Sequence, residues 1–400
     1  MPVARQVVNE DLPVERPLTN RLFAKASREK IPLSGTFELS PVCNFSCRMC
    51  YVRKTAAEVS RSPRPIMTLQ QWLDIARQAR DAGMLYLLLT GGEPFLWPDF
   101  WPLYEALADM GFLISINTNG SLIDDAAVER LSRRPPTRIN ITLYGAGDET
   151  YHRLCGVKGV FARVDRAITA LQAAGIQVKL NGSLTPDNVS DLEACAAYAE
   201  KRGLIYETNT YMFPPVRRDD TMVGRNERFT PAQAAWYNAE SNRLRFGQAH
   251  YEAYMESVVR GSVPPPGLDE SCVDPRDGTV RCRAGKASFW ITWDGYMTPC
   301  GMMTHPQVDL RSRSFSEAWQ ELVGETSSLS ISRVCVECPN HGLCHSCAAM
   351  AMTETGRSDG IPVYLCQMVE ALRCVAQNAL AESELAAEGQ KTPLNLQTDI

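Results

Sequence analysis

From Thr36 to Glu207, short apolar runs alternate with amphipathic stretches that stop on glycine. Nothing else in the chain restricts its fold as strongly, because neighbouring parallel strands need a long crossover, normally a helix, on one fixed hand. The runs are Thr36-Phe37-Glu38-Leu39, Met84 to Leu89, Phe112 to Ile116, Ile139 to Leu143, Ile176 to Leu180 and Leu204 to Glu207. Met84 to Leu89 has no polar alternation, as expected of a strand covered on both faces. Helical spacing runs from a Thr68 cap through Trp72, Ile75 and Ala79 to Gly83, and from an Asp99 cap through Leu103 and Leu107 to Gly111. Further helices fall at about 124–132, 160–174 and 190–202, the last two followed by Gly175 and Gly203. The pattern predicts an α/β fold, a partial (β/α)6 parallel barrel over residues 34–213, with the loops after the strands forming one mouth.

The first of these loops is Cys43-Asn44-Phe45-Ser46-Cys47-Arg48-Met49-Cys50-Tyr51. Three thiolates at x3 and x2 spacing can turn onto one iron–sulfur cluster and leave a fourth iron without a protein ligand. A zinc knuckle is the alternative, but a structural zinc wants four protein ligands and the nearest histidine is His152. The loop after the second strand is Thr90-Gly91-Gly92-Glu93-Pro94. Its glycines let backbone approach a ligand, and Glu93 offers a carboxylate suited to an amino group.

Fourteen cysteines, in a chain that shows no secretory signal, favour a cytoplasmic location, and metal or cluster ligation rather than a disulfide framework. The net charge of −5 leaves no basic footprint for nucleic acid, and no apolar run approaches the ~20 residues that cross a bilayer. Residues 1–33, with Pro2, Pro13, Pro17 and Pro32, read as an N-terminal arm, extended or with a short helix. Residues 214–270 read as a linker and a bridging helix from Pro231 to about Arg260. Trp236, Tyr237, Leu244, Phe246, Tyr251 and Tyr254 give that helix an aromatic-rich, core-facing side. Residues 271–376 hold a second cysteine group, and 377–400 form a tail.

Together, Cys43-x3-Cys47-x2-Cys50-Tyr51 and Gly91-Gly92-Glu93-Pro94 resemble the signature of radical S-adenosylmethionine (AdoMet) enzymes. The resemblance implies that the three cysteines hold a [4Fe–4S] cluster whose open iron binds AdoMet. It places Gly91, Gly92 and Glu93 near the methionine amino group and Tyr51 near the adenine. Asn117 and Thr142, and more weakly Asn181, occupy strand ends where relatives present polar groups to the nucleoside and sulfonium. Arg153, in His152-Arg153-Leu154-Cys155, is the candidate for the AdoMet carboxylate. Cys155 and Cys195 read as small buried hydrophobes.

In the last third, Cys282-x12-Gly295-x4-Cys300, then Cys335-x2-Cys338-x5-Cys344-x2-Cys347, then Cys366, resembles the SPASM extension of that family. Cys272 completes eight thiolates, enough for two fully ligated auxiliary [4Fe–4S] clusters and three clusters in all. The family's interleaving implies Cys272, Cys282, Cys300 and Cys347 for one, and Cys335, Cys338, Cys344 and Cys366 for the other. Relatives commonly have three residues where Cys344 and Cys347 are separated by two. Zinc, with His341 and His345 nearby, is the alternative here, and Cys374 reads as a packed surplus thiol.

The implied activity is reductive cleavage of AdoMet and abstraction of a hydrogen atom from a ribosomally made peptide, ending in a thioether or carbon–carbon crosslink. An external one-electron donor such as flavodoxin or ferredoxin would serve it. The short N-terminal arm suggests that a separate protein, or the barrel surface, binds any leader. The alternatives are a sulfatase-maturing enzyme, against which Gly301 after Cys300 counts, and a dehydrogenase or epimerase of a small molecule.

Overall fold

The computed structural model describes residues 18–261, 278–280, 282–344 and 346–387. The arm before Leu18, the Pro264-Pro265-Pro266-Gly267 breaker, Cys272, His345 and the tail after Ala387 lie outside the described residues.

Six parallel strands follow one another in space as in sequence: β1 (Ser34–Glu38), β2 (Tyr86–Thr90), β3 (Leu113–Thr118), β4 (Arg138–Thr142), β5 (Val178–Ser183) and β6 (Tyr206–Asn209). β2, β3, β5 and β6 start one or two residues later than their apolar runs, whereas β1 starts two residues earlier and β4 one. The late starts have a common cause. Met84, Phe112, Ile176 and Leu204 each send their N–H back to the helix just ended, to the carbonyls of Ala79, Leu107, Leu171 and Ala199. Between helix and bond sit Gly83, Gly111, Gly175 and Gly203, all at positive φ. This is the glycine-ended motif in which the following apolar residue caps the helix before any strand begins. The strands consequently run on into polar residues, and all six end in a polar side chain at the shared mouth.

The crossover helices are α3 (Leu69–Asp81), α4 (Phe100–Asp109), α5 (Asp125–Arg133), α7 (Phe161–Ala173) and α8 (Leu192–Lys201). The remaining helices of this part are α1 (Leu18–Glu29), α2 (Ala56–Ser60) and α6 (Asp148–Cys155). Thr68 and Gln71 form a reciprocal capping box on α3. Asp99 makes no side-chain cap on α4, contrary to expectation; Pro102, at the third helical position, has no N–H to offer such a cap. Phe37, Leu89, Ile116, Ile141 and Leu180 meet Trp72, Leu103, Ile168 and Leu171 in one core. Each such side chain contributes about 1.5–3 kcal/mol by leaving water.

The C-terminal third is continuous with the barrel sheet. β7 (Ser288–Ile291) adds parallel to β1, and β8 (Tyr296–Thr298) and β9 (Val308–Asp309) continue antiparallel. The expected long bridging helix is two helices, α9 (Pro231–Phe246) and α10 (Gln248–Arg260), broken at Gly247 with φ +87°. The break divides the aromatic face. Tyr237 and Leu244 pack on the barrel core, Tyr251 and Tyr254 on a second cluster, and Trp236 and Phe246 are 41% and 48% exposed. That second cluster joins them to α14 (Val363–Ala387), preceded by α11 (Phe315–Ser327), α12 (Arg333–Val336) and α13 (Ala348–Thr355).

Candidate active site

The cysteine loop leaves β1 and docks by its backbone. Ser46 N and Arg48 N donate to the carbonyls of Cys155 and Leu154 at the end of α6, at 2.8 and 3.3 Å. On the other side Gly92 N donates to Ser40 O at 2.7 Å and Glu93 N to Val42 O at 3.0 Å. The two glycines are required by this approach: a Cβ on Gly91 would stand 2.4 Å from Ser40 O, and one on Gly92 2.5 Å from Val42 O. One backbone contact therefore joins the two motifs.

Above the strand ends lies a cavity of about 370 Å³. Cys43, Cys47 and Cys50 line one side, with Tyr51, Gly91 and Gly92 beside them. Asn117, Thr142 and Asn181 line the next strand ends, and Tyr211, Phe213 and Met302 close the far wall. Asn140 Nδ2 donates to Asn117 Oδ1 at 2.7 Å and so orients that amide. The Tyr211 wall is strapped from the C-terminal third: its hydroxyl donates to Glu354 Oε1 at 2.6 Å, and Glu354 is paired with buried Arg228.

Two expected contacts are placed elsewhere. Arg153 does not line the cavity; its Nε donates to Asp187 O at 2.6 Å and its Nη2 to Thr150 at 3.2 Å, because α6 turns that face toward the loop after β5. Glu93 is also absent from the wall. Its carboxylate, wholly buried, accepts from Thr118 Oγ1 at 2.8 Å, Asn119 N at 2.9 Å and Phe95 N at 3.2 Å, pinning the end of β3. Burial pushes its pKa from 4.5 up to about 7, against these three donors.

The shift has a measurable sign. The folded protein holds a proton on Glu93 between 4.5 and about 7 that the unfolded chain has released, so this group's contribution is full below 4.5 and is lost as pH rises through 7. Glu93→Gln removes that dependence. In anaerobic thermal melts its stability relative to wild type should rise between pH 5 and pH 8, by at most about 3 kcal/mol. A pH-independent difference would contradict the assignment.

Arg53 is the residue that sequence reasoning missed. It is the one charged side chain on the cavity wall, and its buried Nε has no partner among the described residues. Its backbone N–H donates to Cys50 Sγ at 3.4 Å, so its place is fixed by the loop itself. Cys155 is more than a packing residue. Its thiol and the Tyr144 hydroxyl donate to Cys47, and the Cys155 bond above all holds the buried Cys47 below the ordinary thiol range. Cys43 accepts from Phe45 N at 3.3 Å, but burial outweighs that bond and pushes its thiol up to about 12.

The later cysteines fall into two groups. Cys282, Cys300 and Cys347 lie together around Met303 and Ala348, each within electrostatic reach of the others, and Met302 carries this group's edge to the cavity. Cys366 lies with Cys344, Cys335 and Cys338, which, after burial, push its thiol upward. His341 Nδ1 is bonded to the Cys335 carbonyl at 2.9 Å. Cys195 is buried, whereas Cys374, expected to be packed, is exposed. Among the described residues no three His, Cys, Asp or Glu side chains close to the geometry of a single metal ion.

Residues 37–199 match the radical SAM superfamily. The chain is 22% identical to an AdoMet-dependent heme synthase of Methanosarcina barkeri over 76% of its own length and 89% of that protein's. It is 26% identical to the mycofactocin maturase MftC of Mycobacterium ulcerans, over 81% and 85%. Its fold resembles the crystal structure of Streptococcus suis SuiB bound to the precursor peptide SuiA, with a TM-score of 0.62 and 19% identity, covering 92% of this chain and 84% of that one. A parallel barrel that brings Cys43, Cys47 and Cys50 against Gly91 and Gly92, together with this match, identifies residues 37–199 as a radical SAM domain.

Proposed function

We propose that this radical SAM enzyme modifies a ribosomally made peptide, forming a thioether or carbon–carbon crosslink. One observation carries the reading: the three loop cysteines share a single cavity with Met302, the neighbour of an auxiliary cysteine group. The likeness to a named maturase over 81% of the chain supports a peptide substrate.

In this reading Cys43, Cys47 and Cys50 hold the AdoMet-site [4Fe–4S] cluster. Cys272, Cys282, Cys300 and Cys347 hold one auxiliary cluster in a SPASM-type domain, and Cys335, Cys338, Cys344 and Cys366 the other. When bound, cluster and AdoMet supply one-electron cleavage of the sulfonium to methionine and a 5′-deoxyadenosyl radical able to take hydrogen from an unactivated carbon. The chain's own part is to bind and exclude. Gly91 and Gly92 bring backbone to the methionine end, Asn117, Thr142 and Asn181 offer hydrogen bonds, and Tyr51 lies beside the cluster loop. Phe213, Met212 and Met302 keep the far wall apolar and hold back water. Flavodoxin or ferredoxin would supply the electron, a separate protein would bind any leader, and the reaction would run in the cytoplasm. Among the described residues no helix is long and apolar enough to cross a membrane.

Arg53 replaces Arg153 as the partner of the AdoMet carboxylate. Arg53→Gln should weaken binding of S-adenosylhomocysteine, an unreactive analogue, about tenfold or more, the loss of one charged hydrogen bond. Arg153→Gln should leave it unchanged. Isothermal titration that gave the opposite order would restore the earlier assignment.

The test of function is anaerobic reconstitution with AdoMet, reductant and candidate peptides, read by mass spectrometry. Loss of a pair of hydrogens from the peptide with release of 5′-deoxyadenosine supports crosslinking. The likeness to a heme synthase over 89% of that protein favours a small-molecule substrate as the second reading. It would be preferred if 5′-deoxyadenosine release responded to no peptide but rose with a tetrapyrrole.

A further inference from the structure

Arg217 lies in the charged segment between β6 and α9, which the sequence offers only as a linker. Its side chain is 11% exposed and donates from Nη1 and Nη2 to the two oxygens of Glu38, each at 2.9 Å. Nη1 also donates to the Gly301 carbonyl at 2.7 Å. Glu38, 1% exposed, accepts a third bond from Trp290 Nε1 at 2.9 Å. The two ends of this network are informative. Glu38 is the last residue of β1, the strand that delivers the Cys43 loop, and Gly301 directly follows Cys300. A Cβ on Gly301 would meet the Trp290 ring at 2.7 Å, so the turn bearing Cys300 is pressed onto the same network. Tyr51, next to Cys50, lies within electrostatic reach of Glu38, Arg217, Cys50 and Cys300.

We infer that Arg217 is a positioning residue that fixes the separation and helps set the reduction potentials of two cluster sites, that of Cys43, Cys47 and Cys50 and that of Cys282, Cys300 and Cys347. The inference rests on the cluster-bearing reading proposed above. A guanidinium bound to a carboxylate through both nitrogens has its plane and distance set, which a lysine cannot reproduce. In a buried setting its charge is felt over several ångströms. A positive charge beside a cluster favours the reduced form, and Glu38 offsets it. Removing Arg217 alone leaves a bare buried carboxylate between the two sites, which disfavours added electrons at both.

The test uses the anaerobically reconstituted full chain as wild type, Arg217→Lys, Arg217→Met and the double variant Glu38→Gln/Arg217→Met. Iron content is measured first, then reduction potentials by titration followed with electron paramagnetic resonance, including the relaxation that reports coupling between clusters. Arg217→Met should shift both potentials downward. The double variant, with no net charge left behind, should return them toward wild type while the inter-cluster coupling stays weakened, because the clamp is still gone. Arg217→Lys should keep the potentials and lose part of the coupling. Unchanged potentials and coupling in an iron-replete Arg217→Met protein would overturn the inference. So would a double variant whose potentials stay as low as those of Arg217→Met. Wild-type protein without iron at the C-terminal cysteines would instead overturn the cluster reading on which it rests. If Arg217→Met fails to fold, the double variant and Arg217→Lys decide.

Discussion

Replacing Cys43, Cys47 and Cys50 together by alanine is expected to abolish 5′-deoxyadenosine formation, a fall of at least about a thousandfold, because it removes the redox step itself rather than a binding contact. Iron should fall by about four per chain, the content of one cluster, and the remainder should stay on the C-terminal cysteines. The fold should survive. The loop is held by backbone bonds to Cys155, Leu154, Ser40 and Val42, and the side chains of Cys43 and Cys50 are only partly buried. Iron analysis, product chromatography and thermal unfolding check the three parts separately. Residual AdoMet cleavage at the wild-type rate would mean that another cysteine group binds the cofactor.

Gly92→Ala is expected to have the second largest effect, for a steric reason. The added methyl would stand 2.5 Å from Val42 O and 2.7 Å from Pro41 O, where the obstacle is the backbone of the cysteine loop and not a side chain that could swing away. The loop must move, and overpacking of this kind costs about 1–3 kcal/mol. S-adenosylhomocysteine affinity should fall with it, since the displaced segment carries Cys43. Gly324→Ala is the control of opposite sign. Gly324 is an exposed residue within α11 with nothing near its Cβ, so alanine there should stabilise by about 0.5–1 kcal/mol through helix propensity. If Gly92→Ala and Gly324→Ala shifted the melting temperature alike, the close approach at Gly92 would be disproved.

The parts of this fold legible in the sequence were those with local causes. Apolar runs, glycine stops and a Thr68 cap follow from neighbouring residues, and they located six strands and the five crossover helices. Their edges slipped because Met84, Phe112, Ile176 and Leu204, apolar like strand residues, close the preceding helices instead. The cysteine loop and Gly91-Gly92 were equally plain, since spacing along the chain is all they require.

Long-range partners were not legible. Arg53 and Arg153 are both plausible cations near the mouth, and only the turn of α6 toward Asp187 removes one of them. Glu93 reads as an open carboxylate, yet Thr118 and Asn119, some 25 and 26 residues further on, engage it fully. Glu38 and Arg217 are separated by 179 residues and Tyr211 and Glu354 by 143, so neither buried network leaves a local signal. The short strands β7 to β9 escaped for a similar reason: four, three and two residues are too few to show a period, and pairing to β1 is what makes them strands.

The most direct measurement of the central claim is isotope transfer. A candidate peptide carrying deuterium on its side-chain and α carbons is incubated anaerobically with reconstituted enzyme, AdoMet and reductant, and the 5′-deoxyadenosine is weighed by mass spectrometry. Radical abstraction from the peptide predicts deuterium in 5′-deoxyadenosine together with a peptide that has lost it. Unlabelled 5′-deoxyadenosine alongside a converted peptide would contradict it.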